Sequence, residues 1–458
     1  MKFIQRYCLL LFMLMLPLFA MAQPAADSTA AKTLTIDQQI DAAFRPVADE
    51  ISKVVFYSIP LNAVNVPIVL IILLLGAVFC TVYFGFPNFT KVGLAIRTLG
   101  GRYSSKKVGD AADEGEVSHF QALTTALSAT VGLGNIAGVA IALSIGGPGA
   151  TFWMIVAGFL GMASKFAECT LGVKYREIDK AGIVHGGPMY YMRTGFAERG
   201  MGGVGKFFAA FFALMCVGGS FGGGNMFQSN QAAQQVVATF GGGASGGLIS
   251  GGFIFGLICA ALVAIIIVGG VQRIAQVTDK LVPFMAILYV GMGIIILIVK
   301  FSDIPAAFQL IFSNAFEPQA IGGGVIGAMI AGFQRAAFSN EAGVGSAAIA
   351  HSAVKTNYPA SEGVVALLEP FIDTVIICTM SALVIVVTNI DGGFLTYGTK
   401  AIDGVGITST AFDSVIPGVE LCPYFGHRPF RLFYHDFVVL LRPSGVEISL
   451  WQEQNGRY

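Results

Sequence analysis

Two stretches decide the reading of this chain: Thr130-Val131-Gly132-Leu133-Gly134-Asn135-Ile136-Ala137 and Glu341-Ala342-Gly343-Val344-Gly345-Ser346-Ala347-Ala348. Each follows a Phe-Gln pair, Phe120-Gln121 in one case and Phe333-Gln334 in the other, and each lies inside an apolar stretch of helical length. A Gly-x-Gly with a small polar residue behind it interrupts a helix. Inside a bilayer such broken backbone is tolerated only where it is buried or lines a cavity. The free N–H groups that open a half-helix can hold a carboxylate, and the freed carbonyls of its other half can hold a cation. The plainer reading is a glycine seam for helix packing. The recurrence of the motif, with Thr130, Asn135, Asn340 and Glu341 beside it, favours a pair of functional helix breaks.

Working outward, stretches of roughly 20 apolar residues occupy 64–85, 118–146, 150–172, 203–221, 247–271, 281–300, 325–351 and 362–388. The intervening loops give an independent check on orientation. Loop 86–117 carries Lys91, Arg97, Arg102, Lys106 and Lys107, and loop 173–202 carries Lys174, Arg176, Lys180, Arg193 and Arg199. Loops 272–280 and 352–361 hold Arg273, Lys280 and Lys355, whereas 301–324 contains no Lys or Arg. Basic loops mark the cytoplasmic side. Counting 222–241 as a separate span would break this pattern, so it reads as a continuation or re-entrant part of the preceding helix. The two broken spans then run in opposite senses with five spans from one to the next, the arithmetic of an inverted 5+5 repeat.

Composition agrees with this organisation. Of 458 residues 55% are hydrophobic and only 12% charged, which effectively rules out a soluble enzyme of this length. Lys plus Arg and Asp plus Glu both total 27, leaving no net charge to attract nucleic acid. The 58 glycines suit closely packed membrane helices. Residues 1–22 read as a signal peptide, with Lys2 and Arg6, an apolar core, and Ala20-Met21-Ala22 as the cleavage site. Cleavage would leave the N-terminus outside the cytoplasm, followed by an extracytoplasmic polar segment over 23–63, partly helical near 37–56. The cysteines show no CxxC spacing, and His119, His185, His351, His427 and His435 are scattered, so buried-thiol packing is preferred to a metal site.

Other intramembrane polar residues admit two readings each. Gln228 and Asn230 in GGGNMFQSN could bind a substrate or join helices. Lys165 and Glu168 read as an interfacial pair near the cytoplasmic loop. Glu369 and Asp373 share a helix face at i, i+4 and are functional by default, with a structural network close behind. Arg335 could pair with Glu341 or gate the outer vestibule, and Trp153 reads as packing.

At these residues the chain resembles the alanine or glycine:cation symporter family, a branch of the transporters with the leucine-transporter type of fold. The resemblance rests on SHFQALTTALSATVGLGNIAGVAIAL (118–143), GGPGATFWM (146–154), KFAECTLGVKYR (165–176), GGPMYYM (186–192), GGGNMFQSN (222–230), FQRAAFSNEAGVGSAAIAHSA (333–353) and EPFIDTVIICTMSALVI (369–385). It departs from the family's usual form at Thr151 and Ile155. It implies an all-α polytopic membrane protein of the bacterial plasma membrane, without cofactor, that takes up a small neutral amino acid with sodium. It further implies that Thr130, Gly132, Gly134, Asn135, Gln228, Gly343, Gly345 and Ser346 line the substrate site, with Thr130 and the Gly132 backbone near a cation. The transporter region spans 64–417, with a first repeat over about 118–300 and the start of a second over about 325–388.

The resemblance stops after Pro417. Eleven spans are expected and about eight are present, while residues 419–458 carry eight charged residues and no clean span. A reading-frame slip near the Gly418 codon accounts for this. Read one base later, Phe433-Tyr434-His435-Asp436 can become Ser-Thr-Met-Ile, inside a family-like FSTMISWSYYG. That serine and threonine would be the hydroxyl pair of a sodium site, so the chain as written is expected not to transport. A membrane-embedded enzyme would need convergent catalytic groups, and a channel a repeated filter or charged ring. Neither pattern is evident.

Overall fold

The computed structural model describes residues 36–61, 64–101, 115–240, 251–268, 270–317, 324–399 and 404–415. The expected signal peptide and the aberrant tail lie outside the described residues.

The first described helix, α1 (Ile36–Val55), is followed by a hairpin of β1 (Ser58–Leu61) and β2 (Val64–Pro67) that delivers the chain into α2 (Ile68–Tyr83). In the next loop α3 (Val92–Leu99) forms, and the first broken span follows as α4 (His119–Thr130) and α5 (Leu133–Gly146), bent by 41°. Ser118 opens α4 with a capping box, accepting from the Gln121 amide while the Gln121 side chain accepts from the Ser118 amide. The uninterrupted α6 (Ala150–Lys174) comes next, then β3 (Glu177–Ile178), β4 (Val184–His185) and α7 (Pro188–Ala197) in the basic loop.

The stretch 222–241 behaves as the charge pattern requires. α8 (Gly202–Gly219) passes without a break through a π-helical segment, Ser220–Met226, into α9 (Phe227–Phe240). Then come α10 (Gly251–Ile267) and α11 (Gly270–Val299). The loop expected over 272–280 is absent, because those residues form the first turns of α11. Arg273 and Lys280 therefore project from a helix that extends beyond its apolar part. A further difference is α12 (Ile304–Phe316), a helix within the loop expected over 301–324. The second broken span is α13 (Gly324–Asn340) and the short α14 (Ser346–Ser352). The last long span begins as α15 (Pro359–Ala366), runs through a π-helical segment, Phe371–Cys378, and ends as α16 (Thr379–Gly392), with α17 (Gly404–Asp413) after it.

Among the described residues four helices are long and apolar enough to cross a membrane, or five if the bent pair α4–α5 is one span. The core lies where α5, α6 and α16 meet, around Leu143, Met154, Ala382 and Ile385, all buried. The outside is apolar too: Ile72, Leu75, Phe79 and Val82 of α2 are each more than 60% exposed, on neighbouring turns. Such a surface suits lipid and not water.

Candidate functional site

Both breaks are closed by the asparagine beside them, in the same manner. At the first, Asn135 Oδ1 accepts from the Gly132 amide at 2.7 Å. At the second, Asn340 Oδ1 accepts from the Ala342 amide at 3.0 Å. Each answers a donor that the missing helical turn would leave unpaired. Each amide nitrogen then reaches the same π-helical segment, at consecutive residues. Asn135 Nδ2 donates to Asp373 Oδ1 at 2.6 Å and to the Asp373 carbonyl at 3.0 Å, and Asn340 Nδ2 donates to Thr374 Oγ1 at 2.9 Å. Thr374 Oγ1 in turn donates to Asp373 Oδ2 at 2.9 Å. Single π-helical turns recur at functional sites because the wider turn re-aims side chains.

Asp373 is fully buried and forms no ion pair among the described residues. A buried carboxylate held only by neutral donors is costly, and the buried Arg335 guanidinium is a cation in electrostatic reach of it.

The second break is the more contorted. Gly343 and Gly345 have φ of 86° and 94°, and Glu341 has φ of 53°, unusual for a residue with a side chain. A Cβ on Gly345 would lie 2.6 Å from Pro188 Cγ, so this position needs glycine for both conformation and space. The Glu341 carboxylate accepts from Ser346 Oγ, and Glu168 of α6 accepts from the Gly343 amide.

Between the breaks lies a cavity of about 350 Å³. Thr130 and Gly134 line it from the first broken span, and Ala337, Phe338, Glu341, Val344 and Ser346 from the second. Phe212, Met215, Gly219, Ser220, Gly223, Gly224 and Gln228 close it from α8, the π-helical segment and α9. Gln228 is buried, and its Oε1 has no hydrogen-bond partner among the described residues. Of the residues expected at a substrate site, Thr130, Gly134, Gln228 and Ser346 therefore share one cavity. Gly132, Asn135, Gly343 and Gly345 do not line it; they build the breaks that shape it. Thr130 Oγ1 bonds back to carbonyls of its own helix, Ala126 at 3.4 Å and Leu127 at 3.3 Å.

Several polar residues sit differently from expectation. Lys165 and Glu168 are not an interfacial pair: both are buried, and Lys165 Nζ donates to Glu369 Oε1 at 3.1 Å. The packing of α6 against α14, α15 and Glu369 encloses them. Arg335 turns to α5 and not to Glu341: its guanidinium lies where a Cβ of Gly138 would be, with Cζ 4.7 Å from the Phe338 ring centre. Asn230 is exposed and accepts from Gln234, whereas Trp153 packs among Phe152, Phe316 and Phe333 and donates to the Ala315 carbonyl at 3.0 Å.

The sequence profile of the sodium:alanine symporter family matches residues 51–425. Sodium/alanine symporter AgcS of Methanococcus maripaludis is 39% identical over 352 residues, covering 77% of this chain and 74% of that protein. The putative sodium/proton-dependent alanine carrier protein YrbD of Bacillus subtilis is 36% identical over 394 residues, covering 83% and 75%. The probable sodium/glutamine symporter GlnT of the same organism is 36% identical over 300 residues, covering 65% and 58%.

Proposed function

This chain belongs to the sodium:alanine symporter family, and we propose that in its restored reading frame it carries a small neutral amino acid, alanine or glycine, into the cell together with sodium. The observation that carries the reading is the cavity between the two helix breaks. At about 350 Å³ it lies near the lower end of ligand sites, roughly 300–1,000 Å³, and glycine and alanine walls keep it small. The start of α5 at Gly134 offers main-chain N–H groups to a substrate carboxylate. Glu341, Ser346 and Gln228 stand opposite, where an ammonium group and a hydrogen-bond donor are welcome. The inverted 5+5 arrangement is part of the same proposal, supported by the matched asparagine caps at the two breaks.

Sodium is a substrate here. Its first site is proposed at Asp373, with Thr374 and the two break asparagines holding the carboxylate in place. A second is proposed beside Thr130 and Gly132; a frame slip beginning near Gly418, within the last residues of the family match, would leave it without its hydroxyl pair and the chain as written unable to complete a transport cycle. The protein is placed in the plasma membrane with its basic loops inside and its N-terminus outside.

The test is uptake of labelled alanine into proteoliposomes by the chain as written and by a frame-restored version. Uptake by the restored protein should collapse when sodium is replaced by choline. Uptake indifferent to that replacement would contradict symport, and equal sodium-driven uptake by both versions would contradict the frame reading.

A further inference from the structure

A second polar system runs beside the cavity and is not used by the reading above. Glu362 of α15 is fully buried between two imidazoles: its Oε2 meets His119 Nδ1, and its Oε1 lies 2.5 Å from His351 Nδ1. His119, at the start of α4, has a side chain 17% exposed, whereas His351, in the half-helix after the second break, is completely enclosed. On its other edge His351 Nε2 faces Glu369 Oε2 at 3.7 Å. Neither of these two atoms has a hydrogen-bond partner among the described residues. Glu369 continues to Lys165, one turn from Glu168, which holds the Gly343 amide and leaves its own Oε2 unpartnered.

The groups facing His351 are Glu362 and Glu369; His119 of α4 lies on the far side of Glu362, and Lys165 of α6, with Glu168 and Cys169 in its electrostatic reach, lies beyond Glu369. Arg176 lies past the end of α14, on the carbonyls of Ser352, Val354 and Thr356. Tyr191 of α7 is in electrostatic reach of Glu168, Glu341 is in reach of Lys165, and His185 of β4 is turned to Asp179. With both imidazoles neutral, Lys165 is outnumbered by the buried carboxyl groups of Glu168, Glu362 and Glu369, with Glu341 also in its reach. Buried charge left unpaired is strongly unfavourable. A proton on His351, between Glu362 and Glu369, offsets part of that excess.

We propose that His351 is a proton-binding site, exchanging with the aqueous phase at the basic-loop end through Glu362 and His119. A proton from water adds at Nε2 of His119, whose side chain is 17% exposed, and the Nδ1 proton passes to Glu362 Oε2. Reorientation of the carboxyl presents that proton to His351 Nδ1. His119 ends neutral, Glu362 ends ionised, and His351 ends as an imidazolium with Nδ1–H on Glu362 and Nε2–H toward Glu369. The site lies on the half-helix that follows the second break, so its occupancy is tied to how α14 is docked. The inference needs neither sodium nor amino acid and stands apart from the symport reading.

The test is proton uptake by the purified full-length chain in detergent micelles, followed with a pH indicator after a jump from about pH 10 to about pH 5. The wild type should bind one more proton than His351→Gln. In His119→Gln the same proton should arrive about 100-fold more slowly, the scale contributed by a positioned proton donor. Equal counts in the wild type and a folded His351→Gln would overturn the site. If that variant does not fold, His119→Gln decides alone: unchanged kinetics overturn the route and the proposal with it.

Discussion

Replacing Asn135 with alanine removes the hinge pin of the first break. Four contacts disappear: the acceptor for the Gly132 amide at 2.7 Å, two donations to Asp373, at 2.6 Å to the carboxylate and 3.0 Å to the carbonyl, and a weaker one to Cys378 Sγ at 3.2 Å. A hydrogen bond to a charged group contributes about 1.5–3 kcal/mol, and a buried N–H left without an acceptor costs about 1–3 kcal/mol. The substitution should therefore destabilise the folded protein by roughly 3–5 kcal/mol. Asn340→Ala is the matched control. It removes an acceptor from Ala342 and a donor to Thr374 Oγ1, both neutral contacts, for roughly 1.5–3 kcal/mol.

The functional consequence separates the two more sharply than stability does. If Asp373 holds sodium, a ligand that binds only the folded state raises the unfolding midpoint. Thermal unfolding in detergent, in sodium chloride against choline chloride, reads this directly. The wild type should be stabilised by sodium, Asn135→Ala should lose most of that increment, and Asn340→Ala should keep most of it. An Asn135→Ala protein that folds and keeps the full sodium increment would refute the placement of the cation at Asp373.

Gly345→Ala combines a left-handed φ with a 2.6 Å approach to Pro188 Cγ, and should cost about 2–4 kcal/mol in thermal stability. A Cβ on Gly138 would fall 1.6 Å from Arg335 Nη1, so Gly138→Ala should destabilise, and Arg335→Ala should recover much of the loss. Additive losses in the double mutant would show that the two do not touch. Gln228→Leu leaves the cavity without its unpartnered carbonyl, and should raise the KM for alanine in the frame-restored carrier by about 5- to 150-fold with kcat little changed. An unchanged KM would place Gln228 among the structural residues.

Much of the architecture was legible because the bilayer imposes simple rules. The two breaks stand at the Gly-x-Gly motifs, and of the two readings the charge pattern left for 222–241, a continuation or a re-entrant part of the preceding helix, residues 222–240 follow the first. What was not legible depends on partners distant in sequence. Lys165 reads as interfacial because it lies near the end of an apolar run, yet its partner is Glu369, 204 residues away. The loop over 272–280 was lost to α11 because hydropathy marks where apolar character ends, not where helical hydrogen bonding does. Asn135 and Asn340 were visible as polar residues at the breaks, but not that both would cap their own break and meet at Asp373 and Thr374. The i, i+4 spacing of Glu369 and Asp373 did hint that this helix carries charge inward. It could not reveal that Glu369 belongs to the histidine chain and Asp373 to the breaks.

The convergence of both asparagines on one π-helical segment has a mechanical consequence. Residues adjacent in a helix point in different directions, so Asp373 and Thr374 meet the two break asparagines separately, while the spans also pack on each other through Gly134, Gly138, Arg335 and Ser339. Any motion that separates the spans must release one of the two amide contacts first. The Asn135 contact ends on a carboxylate and the Asn340 contact on a hydroxyl, and charge-assisted hydrogen bonds are about twice as strong as neutral ones. The α13–α14 span is therefore expected to come away while α4–α5 stays docked. Native-state hydrogen exchange reads the order, because the Ala342 amide is closed by Asn340 and the Gly132 amide by Asn135. Ala342 should exchange faster than Gly132, and Thr374→Val should widen the gap. Faster exchange at Gly132 would mean that the first break opens first, and that the strength of these two contacts does not set the sequence of movement.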